Sequence, residues 1–145
     1  MSEQTISVKS NPNIFPSVDD RPREFDAASL EVTSARVQFV AKLTVSGGKC
    51  YLTYDYVGAV GRYDFVGLYT NGAVDNPHAS LNYKYCSEFA PGDQYATGFD
   101  GVVNMVAMYW AFDYRRNGFV RLAVTTPLTA DIINNGGTVL GATTC

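Results

Sequence analysis

The chain carries one histidine, His78, in the segment Asp75-Asn76-Pro77-His78-Ala79-Ser80. An imidazole does acid–base or nucleophilic work only when a second group orients it, and no Gly-x-Ser-x-Gly elbow occurs anywhere in the chain. The residues around His78 are turn formers, so it is expected in an exposed loop. Carboxylates offer a second route to chemistry. Asp55, Asp64, Asp93, Asp100 and Asp113 fall near the ends of strand-like runs, and a pair held at a set separation in a cleft could hydrolyse a glycosidic bond. A chain of 145 residues with short loops leaves little room for such a cleft, and aspartates at turns mostly bond their own backbone. No catalytic residue is expected.

Metal and phosphate sites are weighed in the same way. Asn71-Gly72-Ala73-Val74-Asp75-Asn76 offers the oxygen ligands that Ca²⁺ prefers, but lacks the EF-hand spacing and its terminal bidentate acid. Gly58-Ala59-Val60-Gly61 has the look of a phosphate loop, yet no Gly-Lys-Ser/Thr follows and no helix opens there. It reads as a bend or bulge between strands. The three cysteines, Cys50, Cys86 and Cys145, cannot all pair within one chain and show no CxxC or Cys-His spacing, so reduced thiols are expected and a zinc site is not. No cofactor is expected, with Ca²⁺ the one cation the oxygen ligands leave open.

What remains suits contact better than bond breaking. Tyrosine joins an apolar ring to a polar tip and serves both sheet packing and stacking on a sugar or a protein. Tyr63, Asn71, Asp75, Asn76, His78, Arg115, Arg116 and Asn117 are the candidate ligand-binding residues. All lie in segments that read as turns or strand ends.

The elements that would position them alternate with period two. In residues 49–56, Cys50, Leu52, Tyr54 and Tyr56 share one face, while Lys49, Tyr51, Thr53 and Asp55 share the other, which predicts a half-buried strand. Residues 64–69, 81–86, 103–114 and 119–125 read likewise, with Val120, Leu122 and Val124 on one side of the last. Trp110 shares its face with Val106, Met108 and Phe112 and is assigned to the core. Arg115-Arg116-Asn117-Gly118 predicts a hairpin, because Asn-Gly tolerates positive φ. Gly47-Gly48 predicts another, joining a strand at 35–44 to the one beginning at Lys49. Residues 29–38 could hold a helical turn. Ile132-Ile133, the turn Asn134-Asn135-Gly136-Gly137 and Thr138-Val139-Leu140 predict a short further hairpin.

Strands punctuated by turns at this interval predict an all-β sandwich or small barrel, and an antiparallel sandwich over 29–127 is the expectation. An extended amino-terminal arm precedes it at 1–28, kept from helix by Pro12, Pro16 and Pro22. A carboxy-terminal segment follows at 128–145, expected to pack on the sandwich or on a neighbour.

The run Gly48-Lys49-Cys50-Tyr51-Leu52-Thr53-Tyr54, then Arg62-Tyr63-Asp64-Phe65-Val66-Gly67-Leu68-Tyr69, then Tyr83-Lys84-Tyr85, resembles the SKICH family of immunoglobulin-like sandwiches. Tyr109-Trp110-Ala111-Phe112-Asp113-Tyr114-Arg115-Arg116-Asn117-Gly118-Phe119-Val120-Arg121 completes the likeness, which spans about residues 44–127. The resemblance implies a SKICH-like, immunoglobulin-like fold and a non-catalytic interaction module for proteins or membrane surfaces. This chain departs from the family in its long extensions.

Composition narrows the partners. With 46% hydrophobic and 17% charged residues the chain is neither disordered nor membrane-spanning. A net charge of −3 supplies no counter-charge for a phosphate backbone, which argues against nucleic acid. Acidic Met1-Ser2-Glu3 with no apolar core segment is no secretory signal, and no apolar run approaches the ~18 residues of a membrane helix. The product is expected to be cytoplasmic as synthesised, unless a non-classical route or lysis releases it. Two functions are expected. One is lectin-like recognition of carbohydrate or another surface ligand, strengthened by multivalency in a homo-oligomer. The alternative is a self-assembling subunit of a coat, filament, crystal or toxin complex that uses its terminal arms between chains.

Overall fold

The computed structural model describes residues 18–19, 39–56 and 60–143. Most of the arm at 1–28, the helical turn expected at 29–38 and Cys145 lie outside those residues. Strand β1 (Val18–Asp19) belongs to the arm and pairs in parallel with β4 (Val60–Gly61) of the same chain. The Gly58–Gly61 stretch therefore ends in a short strand rather than a phosphate loop.

Strands β2 (Phe39–Ser46) and β3 (Lys49–Tyr56) form the hairpin expected at Gly47-Gly48. Both glycines sit at positive φ, +59° and +82°, where a side chain would be strained. The alternation holds over most of the hairpin: Phe39, Ala41, Leu43, Val45, Cys50, Leu52 and Tyr54 are buried, while Lys42, Thr44 and Tyr51 are more open. Thr53, expected on the open face, is buried with its hydroxyl on the Asp93 carbonyl. The chain continues through β5 (Phe65–Tyr69), β6 (Asn82–Tyr85), β7 (Tyr95–Asp100), β8 (Val106–Asp113) and β9 (Gly118–Val124). Helix α1 (Ala130–Asn135) and β10 (Gly137–Thr143) follow.

The strands form two antiparallel four-stranded sheets, ordered β10-β2-β3-β7 and β6-β5-β8-β9. With β2, β3 and β7 opposite β6, β5, β8 and β9, this is the layout of an immunoglobulin-type sandwich, to which β10 adds an edge strand. One core fills the space between the sheets. Leu43, Leu52, Val66, Leu68 and Leu128 are fully buried there, each side chain contributing about 1.5–3 kcal/mol of transfer free energy. Tyr54 lies in this core with its hydroxyl 2.8 and 2.6 Å from the Cys86 and Phe89 carbonyls, which share its one proton. Both Cys50 and Cys86 are buried thiols; burial raises the pKa of Cys50.

Both open sides of the sandwich are fastened. At one, Asn82 Nδ2 on β6 donates to the Thr97 carbonyl on β7 (2.9 Å). At the other, Gly141 on β10 lies so close to β9 that a Cβ would overlap the Val124 carbonyl. Only glycine permits that approach.

Three readings need correction. Ile132 and Ile133 lie in α1, not in a hairpin strand, because Thr129 caps the helix by accepting the Ile132 N–H (3.4 Å) and Gly136 ends it at φ +81°. Strand β7 is absent from the alternation reading, its pattern being polar and interrupted by Gly98 at φ +78°. Val124 does not share the face of Leu122. A β-bulge makes Tyr109 pair with Ala123 and Trp110 with Arg121, leaving Leu122 as the extra residue. The parity of β9 flips there, so Leu122 and Ala123 are both buried and Val124 is 37% exposed. The assignment of Trp110 to the core holds: it is buried with Val106 and Met108, in a second apolar cluster on the outer face of its sheet.

Candidate functional site

A strand at the centre of a sheet buries both faces only if something covers the outer one. Strands β5 and β8 read as almost unbroken apolar runs, Phe65-Val66-Gly67-Leu68-Tyr69 and Val106-Ala107-Met108-Tyr109-Trp110-Ala111-Phe112, and both are buried almost throughout. Val66, Leu68, Ala107, Tyr109 and Ala111 point into the inter-sheet core. Phe65, Tyr69, Val106, Met108 and Trp110 form a second apolar cluster on the opposite side.

The cover is the segment between β5 and β6, residues 70–81, which crosses the outer face as a strap. Tyr69 donates its hydroxyl to the Pro77 carbonyl (2.7 Å), and burial holds its phenol well above the usual range. Gly67 makes room for the Tyr69 ring, which lies 3.0–3.3 Å from where a Cβ would stand. Arg121 on β9 reaches to the strap from the far side, donating from Nη1 to the Val74 and Gly72 carbonyls (3.1 and 3.4 Å). Within the strap, Asn71 Oδ1 accepts the Ala73 N–H (2.8 Å) and Asn76 Oδ1 accepts the His78 N–H (3.0 Å). Both carboxamide oxygens proposed as Ca²⁺ ligands thus close their own turns. Among the described residues, no group of three His, Cys, Asp or Glu side chains is placed to hold a metal ion.

Beside the strap the outer face is aromatic. Phe65 is the hub: Phe119, Tyr83 and Tyr85 stand against it with centroids 5.3, 5.4 and 6.2 Å away, at 74°, 63° and 80°. Phe119 continues to Phe112 (5.3 Å) and to the His78 ring (5.7 Å). Phe112 in turn meets Tyr114 (4.9 Å) and Tyr63 (6.0 Å). Edge-to-face contacts of this kind are the favoured geometry of ring pairs. The result is a continuous band of rings across all four strands, with Tyr63, Tyr83 and Tyr114 exposed at 43%, 46% and 44%.

The two ends of the band differ. Toward β6 the rings surround a cup of about 100 Å³ lined by Phe65, Phe119, Tyr83, Tyr85, His78, Pro77 and Ser80. The Tyr85 phenol there titrates above its ordinary value, chiefly through burial and then through Tyr83 beside it. Toward the β8–β9 hairpin, Tyr63, Phe112 and Tyr114 adjoin the polar turn Arg115-Arg116-Asn117. Asn117 takes the positive φ the hairpin requires, +53°. Asp113, fully buried, accepts the Arg115 and Arg116 N–H groups on Oδ1 (2.9 and 3.4 Å) and pairs with Arg116 Nε through Oδ2 (3.3 Å).

Of the candidate residues, the structure places Tyr63, Arg115, Arg116 and Asn117 at the hairpin end, and Asn71, Asp75, Asn76 and His78 on the strap. His78 is exposed, as expected, with its ring against Phe119. The acids are scattered. Asp64 is buried and accepts from Tyr109 Oη (2.8 Å) and the Gly61 N–H (3.1 Å), and Asp100 pairs with Lys49 (2.7 Å). Residue-type reasoning missed Phe65, Phe112 and Phe119, which link the tyrosines into one surface. The signal available was the shared parity of Tyr83 and Tyr85 with Phe65 once strands are set in register. No described helix is long and apolar enough to cross a membrane.

Compared with protein-family models, with curated proteins and with solved structures, the chain finds no match in any of the three. The SKICH resemblance stays with the residues that suggested it.

Proposed function

We propose that this chain is a non-catalytic binding domain that recognises carbohydrate on a surface ligand, in the manner of a lectin, through the outer face of the β6-β5-β8-β9 sheet. One observation carries the reading: a band of rings across four strands, three of its tyrosines more than two-fifths exposed, on a face that the inter-sheet core does not need. Sugar stacking belongs to the hairpin end, where Tyr63 and Tyr114 flank Phe112. A pyranose offers a flat C–H face to an aromatic ring and hydroxyls to the groups around it. Arg115, Arg116 and Asn117 supply the hydrogen-bonding rim that fixes orientation. Stacking on an open face is weak per site, and several copies acting on one decorated surface raise it by multivalency.

The test is an array of immobilised glycans read with the full chain, followed by titration of any glycan that binds. Saturable binding that Tyr63→Ala and Tyr114→Ala each weaken, with the thermal midpoint held, is the expected result. A blank array, or binding indifferent to both variants, overturns the reading.

A further inference from the structure

The cup at the β6 end of the band is a different kind of site from the open hairpin end. Phe65, 4% exposed, is its floor. Tyr83 and Tyr85, perpendicular to each other at 89° with centroids 5.5 Å apart, form one wall; Phe119 and the His78 ring form the other. Phe65 and Tyr85 stand at 80° with centroids 6.2 Å apart, and a ring face attracts a cation lying within ~6 Å of its centroid.

Size and charge agree with that chemistry. A cup of about 100 Å³ is smaller than the ~150 Å³ cavity that encloses a benzene ring, so it seats one side of a compact branched head and has no room for a whole hexose. No lysine or arginine lines it, and its ring faces are electron-rich. The chain as a whole is anionic at −3. A neutral apolar group would gain only burial there; a cation with a methylated surface gains burial and the ring quadrupoles together.

We propose that this cup binds a trimethylammonium head group, of the choline type, whose stem leaves across the open face. This goes beyond the carbohydrate reading and uses other residues, so the two stand or fall separately.

The test is titration calorimetry on the full chain with tetramethylammonium, choline, a trimethyllysine peptide and 3,3-dimethylbutan-1-ol, the uncharged carbon analogue of choline. Saturable binding of tetramethylammonium and choline is expected, with choline at least threefold tighter than its uncharged analogue. Tyr83→Leu and Tyr85→Leu, which keep apolar bulk and remove the ring, should each weaken choline about two- to fivefold. Thr44→Ala, on the other sheet, should leave binding unchanged. If Tyr85→Leu perturbs folding, Tyr83→Leu, at an exposed wall, decides alone. Equal affinity for choline and the uncharged analogue overturns the proposal, as does the absence of saturation by any cation at millimolar concentration. Preference for the trimethyllysine peptide over free choline would keep the head group and overturn the assignment of its stem. A blank glycan array with choline bound removes only the carbohydrate reading; glycan binding without discrimination against the uncharged analogue removes only this one.

Discussion

The two sheets bury similar inner faces and present unlike outer ones. On the β10-β2-β3-β7 sheet, one outward row runs Thr138, Thr44, Tyr51, with Thr44 and Thr138 hydroxyls bonded across the strands at 2.7 Å. These are half-wet polar positions of the kind any antiparallel sandwich shows to solvent. On the β6-β5-β8-β9 sheet the outward positions are Tyr85, Phe65 and Trp110 in one row, with Phe112 and Phe119 in the next. The inter-sheet core requires only the inward side chains. The first sheet therefore shows what the fold asks of an outer face, and the second shows what has been added to it.

The largest effect should come from the buried part of that addition. Trp110→Ala is expected to cost about 3–5 kcal/mol, the range for emptying a packed aromatic site, read as a lowered midpoint in urea. A loss below about 1 kcal/mol would reduce the second cluster to decoration. Gly141→Ala tests the junction between the sheets, where a methyl group has no room beside the Val124 carbonyl. A cost near or above ~3 kcal/mol, the upper end of overpacking, is expected, with β10 amides losing hydrogen-exchange protection.

Tyr69→Phe keeps the ring and removes the bond to Pro77, so about 1 kcal/mol should be lost and strap amides near residues 77–79 should exchange faster. The same variant has a pH signature. Burial raises the Tyr69 phenol in the folded chain, so the unfolded chain releases that proton first. The contribution is complete below the ordinary phenol value of about 10 and declines as pH rises above it. Tyr69→Phe should flatten the alkaline limb of the stability curve, measured by denaturant midpoints from pH 8 upward. Smallest in stability is Tyr63→Ala, expected within about 0.5 kcal/mol of the parent while weakening ligand binding. Thr44→Ala, its counterpart on the polar sheet, should spare binding entirely.

Much of this architecture is legible from residue order. The alternation of Cys50, Leu52 and Tyr54, the glycine pair at 47–48 and Asn117-Gly118 each act locally, and each folds as its local chemistry directs. Strand β7 escapes because an edge strand can be polar and broken by Gly98 without losing its partner. The bulge at Leu122 escapes because one inserted residue shifts faces without altering composition. The site is half legible for the same reason. Tyr63, His78 and the Arg115–Asn117 turn announce themselves by type and by turn chemistry, whereas the band that joins Phe65, Phe119, Tyr83 and Tyr85 exists only once four strands stand in register.

The pairing of β10 with β2 joins residues as far apart as Phe39 and Thr143. During biosynthesis β2 meets β3 almost at once, but its other edge stays open until residues 137–143 clear the ribosome. For that interval the nascent protein displays an unclaimed strand edge, the surface on which chains associate wrongly. Its yield in a cell should therefore depend on chaperone cover until β10 has paired with β2.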